Sequence, residues 1–571
     1  MPENDTMSPF PAPDWRYLMK PQTRLLCRCW LVLAILSAAC NHRPEPQPGS
    51  TSATPDGPEP AKQAGQGGAP GKAIDAETVT AYEKLGGTYS WLWAGHEGFG
   101  LYCTSGPAPG NELTGFYFPT DLKAKPPDLA IPFFLSLHQP SDAGLQALAG
   151  VKNLVVLRLV SGSFTPAGLK QLARLPDLRS LYVGEMPLTV EHLRALAELK
   201  QLTDLDLEYN GISDAGLNEL TRHAGLTRLS LHRQLPPQIT DAGLKELAKM
   251  KNLTALGLRL YQARVTDAWL KELAKLSNLS NLNLTGAALT DAGLKELAGL
   301  KNLGVLNLND TQVTDAGMKE LTGLQKLTDL RLYGTRVTDV GVKELARLTG
   351  LSTLNLASTH VTDAGLKDLE RLPRLHTLVV SDEIVTDAAL RLLRKIGSLH
   401  TLPGAKRKDG SLHWHPTTDT EVVRLNLDAT RITDSGLKEL VPLTNLEMLD
   451  LTDRKVTDAG LKELTSLTSL RGLGLTGTQI TDAGLKHLAA FPHLSELALG
   501  GVGLTQAGLK DLAALTKLTS LGLSQIPVTD AWLKELTALK NLTEIYLYQT
   551  RVTDAGVAEF TRALPRCKVH R

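Results

Sequence analysis

Leucine recurs along most of the chain at fixed offsets, and within each recurrence its spacing changes from two residues to three. In residues 303–321, LGVLNLNDTQVTDAGMKEL, Leu303, Leu306 and Leu308 come first, and Leu306 and Leu308 flank the polar Asn307. Such alternation buries one face of a strand and leaves the other open. Val313 points inward from the following turn, and Met318 and Leu321, three residues apart, form the inner stripe of a helix. Each unit is therefore predicted to be a strand, a turn and a short helix. One unit cannot bury its apolar face alone, so the units must stack into one elongated core.

The helical segment reads TDAGLKEL. Its second position falls at Asp142, Pro166, Val190, Asp214, Asp241, Asp267, Asp291, Asp315, Asp339, Asp363 and Asp387, then at Asp434, Asp458, Asp482, Gln506, Asp530 and Asp554, and most steps are 24 residues. The first position is Ser or Thr throughout, from Ser141 and Thr165 to Thr553. Because Pro166 occupies the second position, and Pro is favoured as the first helical residue, the Ser/Thr before it is the N-cap. Its hydroxyl is expected to accept an orphan helix N–H. The Asp then lies in the first helical turn, where the helix dipole favours an anion. This row of carboxylates is read as repeated helix capping, not as catalytic or metal-binding pairs.

The L-x-x-L-x-L strand followed by T-D-x-G-L-x-x-L, over roughly residues 141–571, resembles the leucine-rich repeats. It is most similar to their cysteine-containing subclass, in the form found in planctomycete-type bacterial lipoproteins. The resemblance implies an α/β solenoid, a horseshoe with parallel strands on the concave face and helices on the convex face. In that subclass an Asn or Cys after the strand bonds backbone in a stacked ladder. Asn210 keeps the position here, whereas Thr311, Thr335, Thr359, Thr430, Thr478 and Thr550 replace it and can bond locally.

The middle strand residue of each unit should face the concavity. The central run Asn283, Asn307, Arg331 and Asn355, with Tyr333 beside it, supplies donors, acceptors and an aromatic, and Tyr and Arg are typical binding anchors. The later run Gly474, Ala498 and Gly522 is bare, so a ligand is expected on the first block. The steps to Asp241 and Asp267 are longer, 27 and 26 residues, with the extra residues at RQLPPQ and LYQAR. Arg228, His232, Arg233, Arg259 and Arg264 gather on or beside these loops as a candidate basic edge, with solvated loop charges as the alternative.

The step from Asp387 to Asp434 is 47 residues, and the intervening stretch lacks the motif. This divides the chain into a capping module at 74–140, a first block at 141–398, an irregular restart at 399–420 and a second block at 421–571. His400, His413 and His415 in the restart form too weak a pattern for a metal site. Trp414 is read as covering an exposed repeat edge.

The ends and the composition narrow the function. Residues 19–40, MKPQTRLLCRCWLVLAILSAAC, combine a basic start, a short apolar run and small residues before Cys40, the pattern of an export signal over residues 1–40. Cys40 after Ala39 resembles a bacterial lipobox, in which the cysteine is acylated; Ser37 stands where that family prefers Leu. Ordinary secretion and an uncleaved anchor stay open. Residues 41–73, rich in Pro, Gly and Ser, read as a disordered tether. A net charge of +1, from 61 basic and 60 acidic residues, gives no sign of a nucleic-acid partner. The five cysteines form no close metal-binding pattern, and no cofactor motif is present. The reading is a non-catalytic binding scaffold, exported and held at the cell envelope, with a protein or polymer ligand on the concave face or basic edge. The alternatives are an enzyme or metal protein using 74–140, with His96 and Cys103, or 399–420, and an intracellular adaptor.

Overall fold

The computed structural model of the chain describes residues 74–94, 101–104, 113–232, 239–259, 267–408 and 416–571. The expectations for Cys40, the export signal, the tether, His96, Arg233, Arg264, His413, Trp414 and His415 lie outside these residues. The described chain packs as two units. The larger runs from residue 74 to Met448 and includes Arg454–Ser469; the smaller comprises Leu449–Asp453 and Leu470–Arg571.

The larger unit holds a fourteen-stranded sheet. Its strands are β1 (Thr88–Ala94), β2 (Leu101–Thr104), β3 (Leu113–Phe118), β4 (Phe133–His138), β5 (Leu154–Val160), β6 (Ser180–Gly184) and β7 (Asp204–Glu208). They continue as β8 (Arg228–His232), β9 (Ala255–Arg259), β10 (Asn281–Asn283), β11 (Val305–Asn307), β12 (Asp329–Arg331), β13 (Thr353–Asn355) and β14 (Thr377–Val379). β1 runs antiparallel to β2 and β3, and every later pair is parallel, with a helical segment between the strands of each pair from β4 onward. This is the α/β repeat solenoid that the leucine pattern predicts. The strand leucines and the helix leucines, such as Leu306, Leu308 and Leu321, are fully buried. Each contributes about 2 kcal/mol of burial, which no single unit could collect alone.

The first coil is covered by an aromatic cap. Asp75 receives the Thr78 N–H at 2.9 Å and starts the helix Ala76–Lys84. From that helix Tyr82 stacks on Phe116, with ring centroids 3.9 Å apart, and donates its hydroxyl to the Pro127 carbonyl at 2.8 Å.

The helix caps carry a contact between coils. Thr165 Oγ1 accepts the Gly168 N–H at a long 3.4 Å, while the same Thr165 gives its N–H and its hydroxyl to the two carboxylate oxygens of Asp142, both at 2.7 Å. Asp142 belongs to the preceding coil. The same two-point clasp joins Asp291 to Thr314, Asp315 to Thr338 and Asp339 to Thr362 in the larger unit. In the smaller unit it joins Asp482 to Thr505 and Asp530 to Thr553. The motif Asp therefore does more than face its own helix dipole: it fastens the cap of the next coil.

This clasp also explains the motif glycine. A Cβ at Gly168 would lie 2.0 Å from Asp142 Oδ1, and one at Gly317 2.4 Å from Asp291 Oδ1. The match between Asp and Gly is not strict, since Gly216 is kept after the coil with Val190 and Trp269 follows the coil with Asp241, but two of the three coils without the Asp are followed by a larger residue. His192 follows the coil with Pro166, and Trp532 follows the coil with Gln506. His192 also replaces the missing carboxylate: Nδ1 accepts the Thr189 N–H at 3.3 Å, which leaves Nε2 to donate to the Phe164 carbonyl at 3.2 Å. Ala389 takes the glycine position after Asp363, whose contact with Thr386 is made through the hydroxyl.

Two further rows stabilise the turns. Asn210, 1% exposed, reaches back to the Met186 carbonyl of the previous coil at 2.9 Å. The threonines at that position instead close their own coil, as Thr311 Oγ1 does on the Leu308 carbonyl and Thr478 Oγ1 on that of Leu475, both at 2.6 Å. The bridging task moves to asparagines before the strands: Asn252, Asn278, Asn302 and Asn541 donate to carbonyls of the preceding coil at 2.8–3.0 Å.

At the restart the strand row ends while the cap row continues. Ser398 Oγ accepts the Leu378 N–H at 3.0 Å and Thr401 Oγ1 donates to the Leu378 carbonyl at 2.5 Å, so side chains close the edge of β14. Asp387 meanwhile clasps Thr433, 46 residues on, at 2.8 and 2.5 Å. His400 is fixed within the restart by Asp419, which accepts its backbone N–H at 2.7 Å and lies 3.0 Å from Nδ1.

In the smaller unit the strands Gly472–Gly474, Glu496–Ala498, Ser520–Gly522, Glu544–Tyr546 and Lys568–His570 pair in succession, all parallel.

Candidate functional site

The open face of the larger sheet is set by strand register. Ser136, Arg158, Tyr182, Asp206, Ser230, Gly257, Asn283, Asn307, Arg331, Asn355 and Val379 pair one to the next along a single row. The middle strand positions inferred from sequence occupy that row.

The asparagines of the central run are structural participants. Asn283, 1% exposed, accepts the Thr285 N–H at 2.9 Å and its hydroxyl at 2.7 Å. Asn307 accepts the Asn309 N–H at 2.9 Å and Asn355 that of Ala357 at 3.0 Å. An Asn carbonyl that takes the N–H two residues on closes an Asx turn at the end of the strand. Arg331 lies along its own strand, with Nε and Nη2 on Asp329 at 3.1 and 3.0 Å. Tyr333 differs: its backbone is pinned by Asn309 at 2.9 Å while its side chain is 42% exposed beside Ala357. Of the five central residues it presents the largest open apolar surface.

A second cluster, on β5 to β9, combines Arg158, Tyr182 and Asp206 of the concave row, and the unremarked Asp204 and Glu208, with three from the basic edge. The Arg158 guanidinium lies 4.4 Å from the ring centroid of buried Tyr182. Tyr182 donates its hydroxyl to Glu208 at 2.7 Å, and burial together with that carboxylate holds its phenol above the usual range. A Cβ at Gly184 would fall 2.5 Å from the Tyr182 hydroxyl, so the glycine makes room for the ring. Arg228 pairs with Asp204 at 2.9 Å and His232 Nδ1 lies 4.0 Å from Asp206. Arg259 is the register partner of His232. The described part of the basic edge therefore stands beside an acidic strand, β7, whose Asp204, Asp206 and Glu208 all face the same side. The middle strand position put Asp206 on the concave row but not Asp204 and Glu208 beside it; the DLDLE alternation in residues 204–208 was the available signal.

Chemically, both clusters are suited to contact. An exposed Tyr and a pre-positioned Arg–Tyr pair are interface anchors. Among the described residues no group of three or more His, Cys, Asp or Glu side chains is arranged to hold a metal.

Comparison with known proteins gives the same architecture. The family described as a leucine-rich repeat region matches residues 295–566, and a second, described as a leucine-rich repeat, matches 200–220 and 275–298. No curated protein matches the chain. Among solved structures, a leucine-rich-repeat protein of Leptospira interrogans is 22% identical, covering 70% of this chain and 92% of its own at a TM-score of 0.41. An internalin of Listeria monocytogenes is 22% identical, with coverage of 67% and 88% and a TM-score of 0.33. The plant peptide hormone receptor RGFR1, in complex with RGF2, is 13% identical, with coverage of 80% of each chain and a TM-score of 0.41. At these identities the likeness to solved structures concerns the fold alone. The repeat grammar, the parallel sheet built from it and the matched family regions together make this chain a leucine-rich-repeat protein.

Proposed function

We propose that the chain is a non-catalytic scaffold that binds a protein partner on the open strand face of its larger unit, with Tyr333 and the Arg158–Tyr182 pair as anchors. One observation carries this reading. The face is one in-register row from β4 to β14, and along it most polar side chains are held by neighbours while Tyr333 projects. A rigid backdrop with a projecting aromatic lowers the ordering cost of association. That the plant receptor named above was solved in complex with RGF2 agrees with this use of the fold.

We further propose that the protein is exported and tethered at the envelope through an acylated Cys40, in the manner of bacterial lipoproteins. The support is the basic, apolar and small-residue order of residues 19–40 and the polar stretch that follows. Mass spectrometry of the mature N-terminus, with Cys40→Ala beside it, tests the tether. A photo-crosslinking residue at position 333, compared with one on the helix side at 343, tests the face. Partner capture from position 333 alone is expected; equal capture from both would refute the assignment.

A further inference from the structure

Two consecutive joints of the larger unit are made without the carboxylate clasp. The helices that begin at Pro166 and Val190 lack the motif Asp, so the joints to Thr189 and Ser213 lack its carboxylate. A buried imidazole spans each joint instead. His192 accepts the Thr189 N–H at Nδ1 and donates from Nε2 to the Phe164 carbonyl of the preceding coil at 3.2 Å. His223, 2% exposed, donates from Nε2 to the Leu199 carbonyl of its own preceding coil at 2.8 Å. The joints on either side keep the clasp, Asp142 to Thr165 and Asp214 to Thr240.

Both imidazoles do this work only when neutral. The Thr189 N–H needs the Nδ1 lone pair of His192, which protonation removes. His223 takes the place that Leu175, Leu199, Leu276 and Leu300 fill in other coils, so its ring stands in the leucine core. Its Nδ1 is buried and has no hydrogen-bond partner among the described residues. A proton added there meets no acceptor and charges an apolar column. The surrounding groups do not compensate. Lys200 on the turn before, Arg222 beside it, and Lys249 and Lys251 on the turn after are cations. Glu198, Glu219 and Glu246 are taken up by Lys170, by Arg194 with Arg222, and by Lys249. Around His192 the titratable groups are Glu191 and Arg194 on its own helix, Lys170 and Arg174 before, and Asp214 and Glu219 after. Glu191 favours a charge on His192, so His223 is the more sensitive of the two. Burial, opposed by the Leu199 bond and aided by Lys200, holds the His223 imidazole below its ordinary value. A base depressed in the fold gives stability that is present above the unfolded value, about 6.5, and is lost as pH falls below it. The carboxylate clasps persist through that window, because free carboxylates titrate near about 4.

We infer that the coils between Phe164 and His223 form an acid-labile section of the solenoid, in which the two imidazole joints open in mild acid while the carboxylate joints on both sides hold. Strands β6 and β7, with Tyr182 and Asp206, belong to this section, whereas Tyr333 lies among clasped coils. Mild acid therefore loosens the Arg158–Tyr182 anchor and spares Tyr333. That consequence rests on the scaffold reading; the lability of the joints does not.

Hydrogen exchange of the full chain, followed by mass spectrometry at about pH 7.5 and about pH 5.5 and corrected for the intrinsic rates, reads each section separately. Protection in peptides from residues 189–231 should fall about tenfold, the effect of one extra proton on the open state a unit below the unfolded histidine value. Peptides from residues 291–345, joined by the Asp291 and Asp315 clasps, should stay level. Melting temperature is the weaker readout, since such a step moves it by only about 1 °C in so long a chain. His223→Gln keeps a donor for the Leu199 carbonyl but does not titrate, and should remove most of the fall. Adding Pro166→Asp with His192→Gly installs the carboxylate joint and should remove the rest. Level protection across residues 189–231, an equal fall in both sets of peptides, or the full fall retained in His223→Gln would each overturn the proposal. None of these outcomes alters the crosslinking result at position 333, so the two readings fail separately.

Discussion

The clasp between coils makes a sharp prediction at Gly168. In Gly168→Ala the new Cβ would sit 2.0 Å from Asp142 Oδ1 and 2.8 Å from its Cγ. The carboxylate must swing away and release the Thr165 N–H and hydroxyl, both now held at 2.7 Å. Charge-assisted bonds contribute about 1.5–3 kcal/mol each when buried. This pair is exposed and water replaces the lost acceptor, so the expected loss is about 1–2 kcal/mol for both. Against it stands the helix preference for Ala over Gly, at most about 1 kcal/mol and less in the first turn. Gly168→Ala should therefore destabilise the protein by about 1 kcal/mol. In an Asp142→Ala background the obstruction is gone, and the same substitution should be neutral or stabilising. Urea denaturation followed by circular dichroism gives the four free energies, with amide exchange at Thr165 as a local readout. A coupling of about 1 kcal/mol or more is expected for groups in contact. If the two substitutions add without coupling, the clasp does not explain the motif glycine.

Other expectations follow from single residues. Burial opposes ionisation of Asp387, but the hydrogen bonds from Ser435 and Thr433 outweigh it and hold its carboxyl below the ordinary value. A depressed folded pKa gives stability that is present above the unfolded value, about 3.9, and is lost as pH falls through the folded one. Melting temperature should thus be level from neutral pH to about 5 and drop below about 4, and Asp387→Asn should flatten part of that drop. Ser398→Ala leaves the buried Leu378 N–H without its acceptor and should cost about 1–3 kcal/mol, whereas Ser398→Thr should cost less; denaturation curves decide. Burial, reinforced by Glu544, pushes the Cys567 thiol up to about 11. Peptide mapping after thiol labelling should find Cys567 unmodified in native protein and labelled only as the smaller unit unfolds. Tyr333→Ala should leave melting unchanged while weakening partner binding, because an exposed side chain holds little of the fold.

The coil order, the strand row and the helix caps were legible in sequence because burial of one leucine face leaves no freedom in phase. A one-residue slip at Leu306 and Leu308 would turn both into solvent. The Asp role was only half legible. An anion in the first helical turn is a local statement, while the bond from Asp142 to Thr165 depends on how one coil lies on another. The clue present in the chain was the joint departure of Pro166 with His192 and of Gln506 with Trp532, blurred by Gly216 after Val190 and by Trp269 after Asp241. The face residues were the least legible. Asn283, Asn307 and Asn355 read as available donors and acceptors, but backbone N–H groups two residues on take their carbonyls. Arg228 and His232 read as a basic edge until register set Asp204 and Asp206 beside them.

The reach from Asp387 to Thr433 has a consequence for how such a chain can change over time. Most coils offer the next the same join, a carboxylate on one side and a Thr–Gly receiver on the other, and the join ignores what is spliced between. Whole coils can then be duplicated, excised or interrupted by unrelated segments with little redesign of their neighbours, provided that the Asp meets a small residue, as in most coils. Array length becomes freely adjustable, and the recognition residues on the strands can vary without disturbing the fastening on the opposite side.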